Sequence, residues 1–328
     1  MKKKTEATNS IATEGRRRGF SLSSASIIIA TKNRVTALTI AVESVLHQVF
    51  LPAQLIVIDQ SPNDEGRRRV QALFADAPEA IRQQVQLCYL SDPEIAGVEI
   101  ARNVGIERAT SEVFVFLDDD VILEPEFLEQ MLAVHRDDPS IDAVSGVVTN
   151  YVRPPIVSRA FRALFYRGPF DDERQRIYWD AEKLRDSSPI RVRKCGTGGL
   201  SIRRSSLGPL RFDSNLKGMG GGGDVDFCYR LGAGCKLVIA PRSRYVHKRS
   251  PVNRAHWLQT EAHSAYYIYL GHLRTGIKNR LCFAWLNLGL LAACFGSCLR
   301  RRSLDPWRAL RTGIRIGRND GLAKPADR

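Results

Sequence analysis

The feature that most constrains this chain is an apolar run, Val113–Leu117 (VFVFL), that passes directly into three aspartates, Asp118, Asp119 and Asp120. A short unbroken apolar run predicts a strand covered on both faces, the form taken in parallel sheets. Two earlier runs share it: Ser26–Thr31 (SIIIAT) and Leu55–Asp59 (LIVID), the second also ending in a carboxylate. Val85–Leu90 and Ala143–Val148 are further candidates. Between the strands, Leu38, Ala41, Val42, Val45 and Leu46 repeat at helical spacing, and Val98–Arg108 reads as helical. Pro125 suits the first turn of a helix whose apolar face is Phe127, Leu128, Met131 and Leu132. Strands alternating with helices predict an α/β fold with a mostly parallel sheet and right-handed crossovers. Such sheets bind ligands outside the carboxyl ends of their strands. Asp59 and the Asp118–Asp120 run both fall there, which predicts one shared site.

The rest of the chain is less regular. Tyr151–Ile190 mixes arginine, aspartate and aromatics with Pro154, Pro155, Pro169 and Pro189, and is expected to form irregular substrate-side loops. Order is expected again over Val192–Ile202. The glycine run Gly218–Gly223 predicts a mobile loop that orders on ligand binding. A short helix over Asp224–Leu231 follows, then short strands over Lys236–Ala240 and Arg244–His247. The region from Arg254 onward reads as helical.

Composition excludes several classes. Of 328 residues 44% are hydrophobic, too many for a wholly disordered chain. Seven scattered cysteines without a CxxC pair argue against a disulfide framework or zinc ribbon, and fit reduced thiols used as small hydrophobes. Met1–Gly15 has no apolar core of the length a secretory signal needs, so residues 1–22 read as a basic tail. The net charge of +14 implies anionic neighbours. Arginines cluster at Arg67–Arg69, Arg203–Arg204 and Arg300–Arg302, without any nucleic-acid-binding signature. No nucleic-acid partner is therefore expected, leaving anionic lipid or a phosphorylated substrate. Leu281–Leu299 carries no charge over 19 residues and is flanked by Lys278, Arg280 and Arg300–Arg302. It reads as a core helix, a helix on the cytoplasmic membrane surface, or a span; basic flanks beside an apolar stretch favour the surface.

Three adjacent aspartates repel one another unless a cation relieves them. Capping or turn chemistry would need only one. A hard divalent ion with oxygen ligands fits three, and no His/Cys cluster surrounds them to suit a softer metal.

SIIIATKNR (Ser26–Arg34), IVIDQSPND (Ile56–Asp64), GVEIARNVGI (Gly97–Ile106) and FLDDDVILEP (Phe116–Pro125), in that order, resemble family 2 glycosyltransferases with the GT-A fold. GTGGLSIRR (Gly196–Arg204) and GGGGDVDFCYRL (Gly220–Leu231) are similar to that family's acceptor-side segments. The resemblance spans residues 24–250. It implies a GT-A catalytic domain over residues 23–250, with a donor nucleotide half (23–125) and an acceptor half (126–250). Residues 251–328 would form a helical, membrane-associating region. It implies an inverting transferase that moves a sugar from a UDP-, dTDP- or GDP-linked donor to a hydroxyl of a glycan or lipid-linked acceptor.

By position, the resemblance assigns Thr31, Asn33 and Arg34 to the nucleotide pocket and Asp59 to the base. Arg102 and Asn103 would lie near the nucleotide. Asp118 would face the ribose and the metal, and Asp120 would be the main ligand of Mg²⁺ or Mn²⁺, with Asp119 in support. His247, which ends a strand-like YVH, would be a further ligand or simply a core or surface histidine; Lys248 and Arg249 would help hold phosphate. Asp224 would be the base that takes the acceptor proton, with Asp226 or neither as alternatives. Asp224 also reads as a helix N-cap. The family's Glu-Asp-x-Asp reads Gly-Asp-Val-Asp here, with Gly223 in the place of the glutamate. That departure supports a second reading, a non-catalytic nucleotide-sugar-binding protein on the membrane surface. A nucleotidyltransferase is disfavoured, because Ala30–Arg34 lacks a glycine-rich basic signature.

Overall fold

A computed structural model describes residues 25–216, 222–232, 234–248 and 257–323. The expected basic tail, most of the glycine run, Arg249 and His256 lie outside the described residues.

The chain begins with β1 (Ala25–Thr31), α1 (Val35–Leu46), β2 (Gln54–Asp59), α2 (Glu65–Asp76), α3 (Glu79–Gln84) and β3 (Gln86–Ser91). Next come α4 (Val98–Arg108), β4 (Val113–Asp118), β5 (Val121–Leu123), α5 (Phe127–Asp137) and β6 (Ala143–Val148). The middle holds α6 (Ile156–Phe165), α7 (Arg174–Trp179), β7 (Ile190–Val192), β8 (Gly199–Arg203) and α8 (Arg204–Leu207). It closes with α9 (Gly223–Leu231), β9 (Leu237–His247), α10 (Trp257–His272), α11 (Ile277–Arg301) and α12 (Asp305–Leu322). One sheet runs β3-β2-β1-β4-β8-β6-β9-β5, with β7 also paired to β9.

The β3-β2-β1-β4 half is parallel, as the alternation predicts. The other half is mixed: β8 runs antiparallel to β4 and β6, and β5 antiparallel to β9. β1 is buried along its whole length and β4 up to Leu117, as their apolar sequences require. Phe116 packs edge-on against Phe212 and Phe227, which stack on each other at 4.1 Å, so β4 is tied to α9 through aromatic contacts. Burying each such ring contributes about 1.5–3 kcal/mol.

Three local readings change. Residues 151–190 contain two helices, because Pro155 caps the start of α6 instead of interrupting it, and Pro169 sits in a short 3₁₀ turn, Gly168–Phe170. Lys236–Ala240 and Arg244–His247 are parts of one strand, β9, in which Pro241 lies where the β6–β9 register shifts. A bulge tolerates a residue without an N–H. Arg203 and Arg204 do not form an anion site: Arg203 donates to the Ile141 carbonyl, and Arg204 to the Ser111 carbonyl while stacking on Phe114.

A second apolar cluster, including Phe170, Leu216, Leu258, Tyr267, Leu290 and Leu310, joins α10, α11 and α12 to the chain before them. α12 lies against α10 through Gly313, Gly317 and Gly321, spaced four residues apart. A Cβ on Gly313 would stand 2.2 Å from the Gln259 carbonyl oxygen, and one on Gly317 2.4 Å from that of His263. Among the described residues α11 is the one helix long and apolar enough to cross a membrane, yet only 22% of its most apolar stretch is buried. Its exposed Ile277, Leu281, Trp285, Leu288, Leu291, Phe295 and Leu299 fall within about a third of the helix circumference at 100° per residue. The buried Leu286, Leu290 and Cys294 face the other way.

Candidate active site

The site grows from strand ends. In the parallel register Thr31 pairs with Asp59 and Ala30 with Asp118, so three functional positions reach one edge together. Asn33 takes a left-handed conformation (φ 55°), which asparagine tolerates better than most side chains. Its N–H donates to Ser61 Oγ at 2.8 Å. The turn directs Arg34 back onto the aspartates, where it reaches Asp119 at 2.5 Å and Asp120 at 2.7 Å.

The three aspartates have separate surroundings. Asp119 is buried and accepts from Thr31 Oγ1 at 2.7 Å and from Arg34. Burial pushes its pKa up to about 6, opposed by those two donors. Asp118 accepts from Arg102 Nη2 at 2.9 Å. Asp120 meets His247 Nε2 at 3.0 Å. Burial alone would raise the Asp120 carboxyl, but the His247 and Arg34 hydrogen bonds and charges outweigh it and hold the pKa below its ordinary value. His247 arrives through sheet pairing: β9 sets it opposite Val121, and the Lys248 N–H donates to the Asp120 carbonyl at 2.8 Å.

Asp118, Asp120 and His247 each offer a ligand atom, all within 4.8 Å of one another. Two carboxylates and an imidazole suit Mg²⁺ or Mn²⁺, with the nitrogen better matched to manganese. Gly198 supports the fit, since a Cβ there would stand 2.5 Å from Asp118 Oδ2, the oxygen nearer His247.

Asp59 is buried and accepts from the Ser61 hydroxyl at 2.5 Å and the Tyr89 hydroxyl at 2.7 Å. Burial and that last bond push the Tyr89 pKa up, so it stays a donor. Asn103 is not joined to the carboxylate cluster by its amide, which closes two hydrogen bonds with the Phe212 backbone.

Across from this cluster in the sequence pattern, Gly222 is the N-cap of α9, so Asp224 sits inside the first turn and does not cap it. Arg174 donates to Asp224 Oδ2 at 2.7 Å, and the Val225 N–H to Oδ1. Asp226 is fully buried between Arg230 and His272, an arrangement that ties α9 to α10. α4 links the two sides: Arg102 touches Asp118, and Glu99, one turn earlier, lies against Gly223. A cavity of about 250 Å³ opens beside Asp224, lined by Arg174, Lys194, Phe170, Ser264, Ile268 and Leu286. Tyr89, Ser61, Gly198, Arg174 and Glu99 were not singled out by sequence reasoning. Gly198 lies in a recognised segment, but Arg174 stands where no pattern could be read.

A parallel half-sheet thus bears a carboxylate–histidine cluster at its carboxyl edge, with a further carboxylate in the first turn of α9. The chain belongs to glycosyl transferase family 2, whose sequence model matches residues 26–203. It is 29% identical over 125 residues to a glucosyl-dolichyl phosphate glucuronosyltransferase of Haloferax volcanii, covering 38% of this chain and 37% of that protein. It is 26% identical over 280 residues to the succinoglycan biosynthesis protein ExoM of Rhizobium meliloti, covering 80% and 82%. The chain thus matches little more than a third of the first relative's length and most of the second's. The mannosyltransferase PcManGT of Pyrobaculum calidifontis, solved with GDP-Man and Mn²⁺, shares the fold. Its TM-score is 0.56 at 15% identity, over 92% of this chain and 87% of that one.

Proposed function

We propose that the chain transfers one sugar from a nucleotide-diphosphate donor, UDP-, dTDP- or GDP-linked, to a hydroxyl of a glycan or lipid-linked acceptor, in a single inverting displacement. The observation that carries this reading is the convergence of Asp118, Asp120 and His247 at the carboxyl edge of the parallel strands. These three would hold Mg²⁺ or Mn²⁺, which when bound supplies charge stabilisation for the departing nucleoside diphosphate. Arg34 and Arg102 pair with the acidic cluster, and their guanidiniums would also meet diphosphate oxygens. Thr31, Asn33 and Asp59 would form the floor on which the nucleoside rests.

Asp224 would take the proton from the acceptor hydroxyl. An ionised carboxylate has about four acceptor sites. Arg174 and the Val225 N–H use two and fix its direction, leaving the others for a hydroxyl. The cavity beside it combines cationic and apolar walls, a mixture suited to an acceptor with both polar and lipid parts. α11 would lie on the membrane with its exposed apolar face inward. The exposed Arg300–Arg302 and the Arg308, Arg311, Arg315 and Arg318 side chains of α12 would meet anionic headgroups. The names of two relatives, one acting on a dolichyl phosphate and one in succinoglycan biosynthesis, support an acceptor of this class.

The test is nucleoside diphosphate release from a panel of UDP-, dTDP- and GDP-sugars with Mn²⁺. The wild type releases one of them. Asp224→Asn lowers turnover by about 10²–10⁴-fold at saturating donor. Release from no donor returns the non-catalytic reading, and near-wild-type turnover in Asp224→Asn removes the base.

A further inference from the structure

Glu99 is a carboxylate near Asp224 that the proposed chemistry leaves unused. Its side chain is buried, with 9% exposure. No hydrogen bond or ion pair joins its carboxylate to another side chain among the described residues. Burying a carboxylate that no other side chain hydrogen-bonds is unfavourable. Burial, and then the nearby Asp213 and Asp224, push its pKa up against its own N–H and Arg102.

Its position meets that of Gly223. A Cβ on residue 223 would stand 2.6 Å from Glu99 Oε1 and 3.6 Å from its Cδ, while the remaining neighbour, Leu216 Cδ1, is at an ordinary 3.7 Å. Gly223 does not have a positive φ, so its backbone does not require glycine. The Glu99 carboxyl reaches from another helix into the space where a residue-223 side chain would begin, and would have to move aside for one. In the family pattern a glutamate starts at that point.

We propose that Glu99 supplies, from α4, the acceptor-side carboxylate that the start of α9 lacks, and that it binds the acceptor hydroxyl beside Asp224. The proposal rests on the reading of Asp224 as base. A negative charge serving only the α4 dipole would be equally satisfied in solvent; Glu99 is instead held out of water against α9. The first turn of α4 then serves both substrates: Arg102 steadies Asp118 on the donor side and Glu99 addresses the acceptor.

The experiment moves the carboxylate back. Glu99→Ala, Gly223→Glu, the double variant and Asp224→Asn are compared with the wild type. The readout is donor hydrolysis, with water as acceptor, Mn²⁺, and whichever donor the wild type turns over fastest; melting temperatures are recorded beside it. Glu99→Ala is expected to lower turnover about tenfold or more, with the donor KM unchanged. Gly223→Glu alone is also slow, because two carboxylates compete for one space. The double variant recovers to within about threefold of wild type, a rescue that a merely structural Glu99 does not give. Should Glu99→Ala melt far below wild type, Glu99→Gln removes the charge at nearly constant volume and carries the same expectation. Wild-type turnover in both single Glu99 variants, or a folded double variant no faster than Glu99→Ala, overturns the proposal. If Asp224→Asn is inactive while the Glu99 variants are unaffected, this inference alone fails; if Asp224→Asn is active, the base assignment fails.

Discussion

Gly198→Ala tests the metal cluster without replacing any of its proposed ligands. The new Cβ would stand 2.5 Å from Asp118 Oδ2 and 3.0 Å from its Cγ, but an ordinary 3.7 Å from its Cβ. Comfortable contact begins near about 3.5 Å, so the carboxylate must swing away by about 1 Å. Its other oxygen is held by Arg102 at 2.9 Å, and the swing disturbs that pair as well. Gly198 has no positive φ, so alanine fits the backbone and stabilises by about 0.4–1 kcal/mol through the unfolded chain. An off-rotamer Asp118 costs about 0.5–1.5 kcal/mol. These nearly cancel, and the melting temperature is expected to move by no more than about 4 °C. A misplacement of this size costs up to about 100-fold in rate, and the Mn²⁺ concentration for half-maximal activity should rise about 10- to 100-fold. The assay is nucleoside diphosphate release against Mn²⁺ concentration, with a thermal melt of the same samples. A folded variant with wild-type manganese dependence would show that Asp118 is not a ligand.

Three further outcomes follow from packing and charge. Asp226→Ala removes the buried charge shared by Arg230 and His272 and should cost about 3 kcal/mol or more, lowering the melting temperature by about 6–12 °C; a melt within 2 °C of wild type refutes the tie between α9 and α10. Burial pushes the His135 pKa down to about 3, below its unfolded value of about 6.5. Between those values the unfolded chain binds the extra proton, so stability is lost as pH falls below about 6.5, by on the order of 2 kcal/mol from pH 7 to pH 5. His135→Gln should flatten that part of the denaturant-melt profile against pH, and an equally steep profile removes the assignment. Leu288→Glu with Phe295→Glu should abolish co-flotation with anionic vesicles, since both side chains lie on the exposed apolar face of α11; unchanged flotation contradicts the membrane role of that face.

What could be read in advance was local. β1, β2 and β4 are short apolar runs, and each announces both its burial and its carboxyl end, so the edge where Asp59 and Asp118 lie was visible. His247 entered only through resemblance, because the contact that brings it to Asp120 is a pairing between β5 and β9 across more than a hundred residues. The prolines of residues 151–190 read as breakers, although Pro155 initiates α6. Gly313, Gly317 and Gly321 lie in a region that reads as helical, but the α10 backbone they pack against, at Gln259 and His263, is distant in sequence. The meeting of Glu99 with Gly223 is a tertiary contact, and no propensity or periodicity encodes it.

The central claim is that Asp118, Asp120 and His247 together bind one dication at the nucleotide's diphosphate. Titration of Mn²⁺ into the protein with UDP or GDP, followed by the loss of the free-ion paramagnetic resonance signal, tests it most directly. The wild type should take up one ion per chain, and Asp120→Asn should weaken that uptake at least about tenfold. Equal uptake by Asp120→Asn, or none by the wild type, would contradict it.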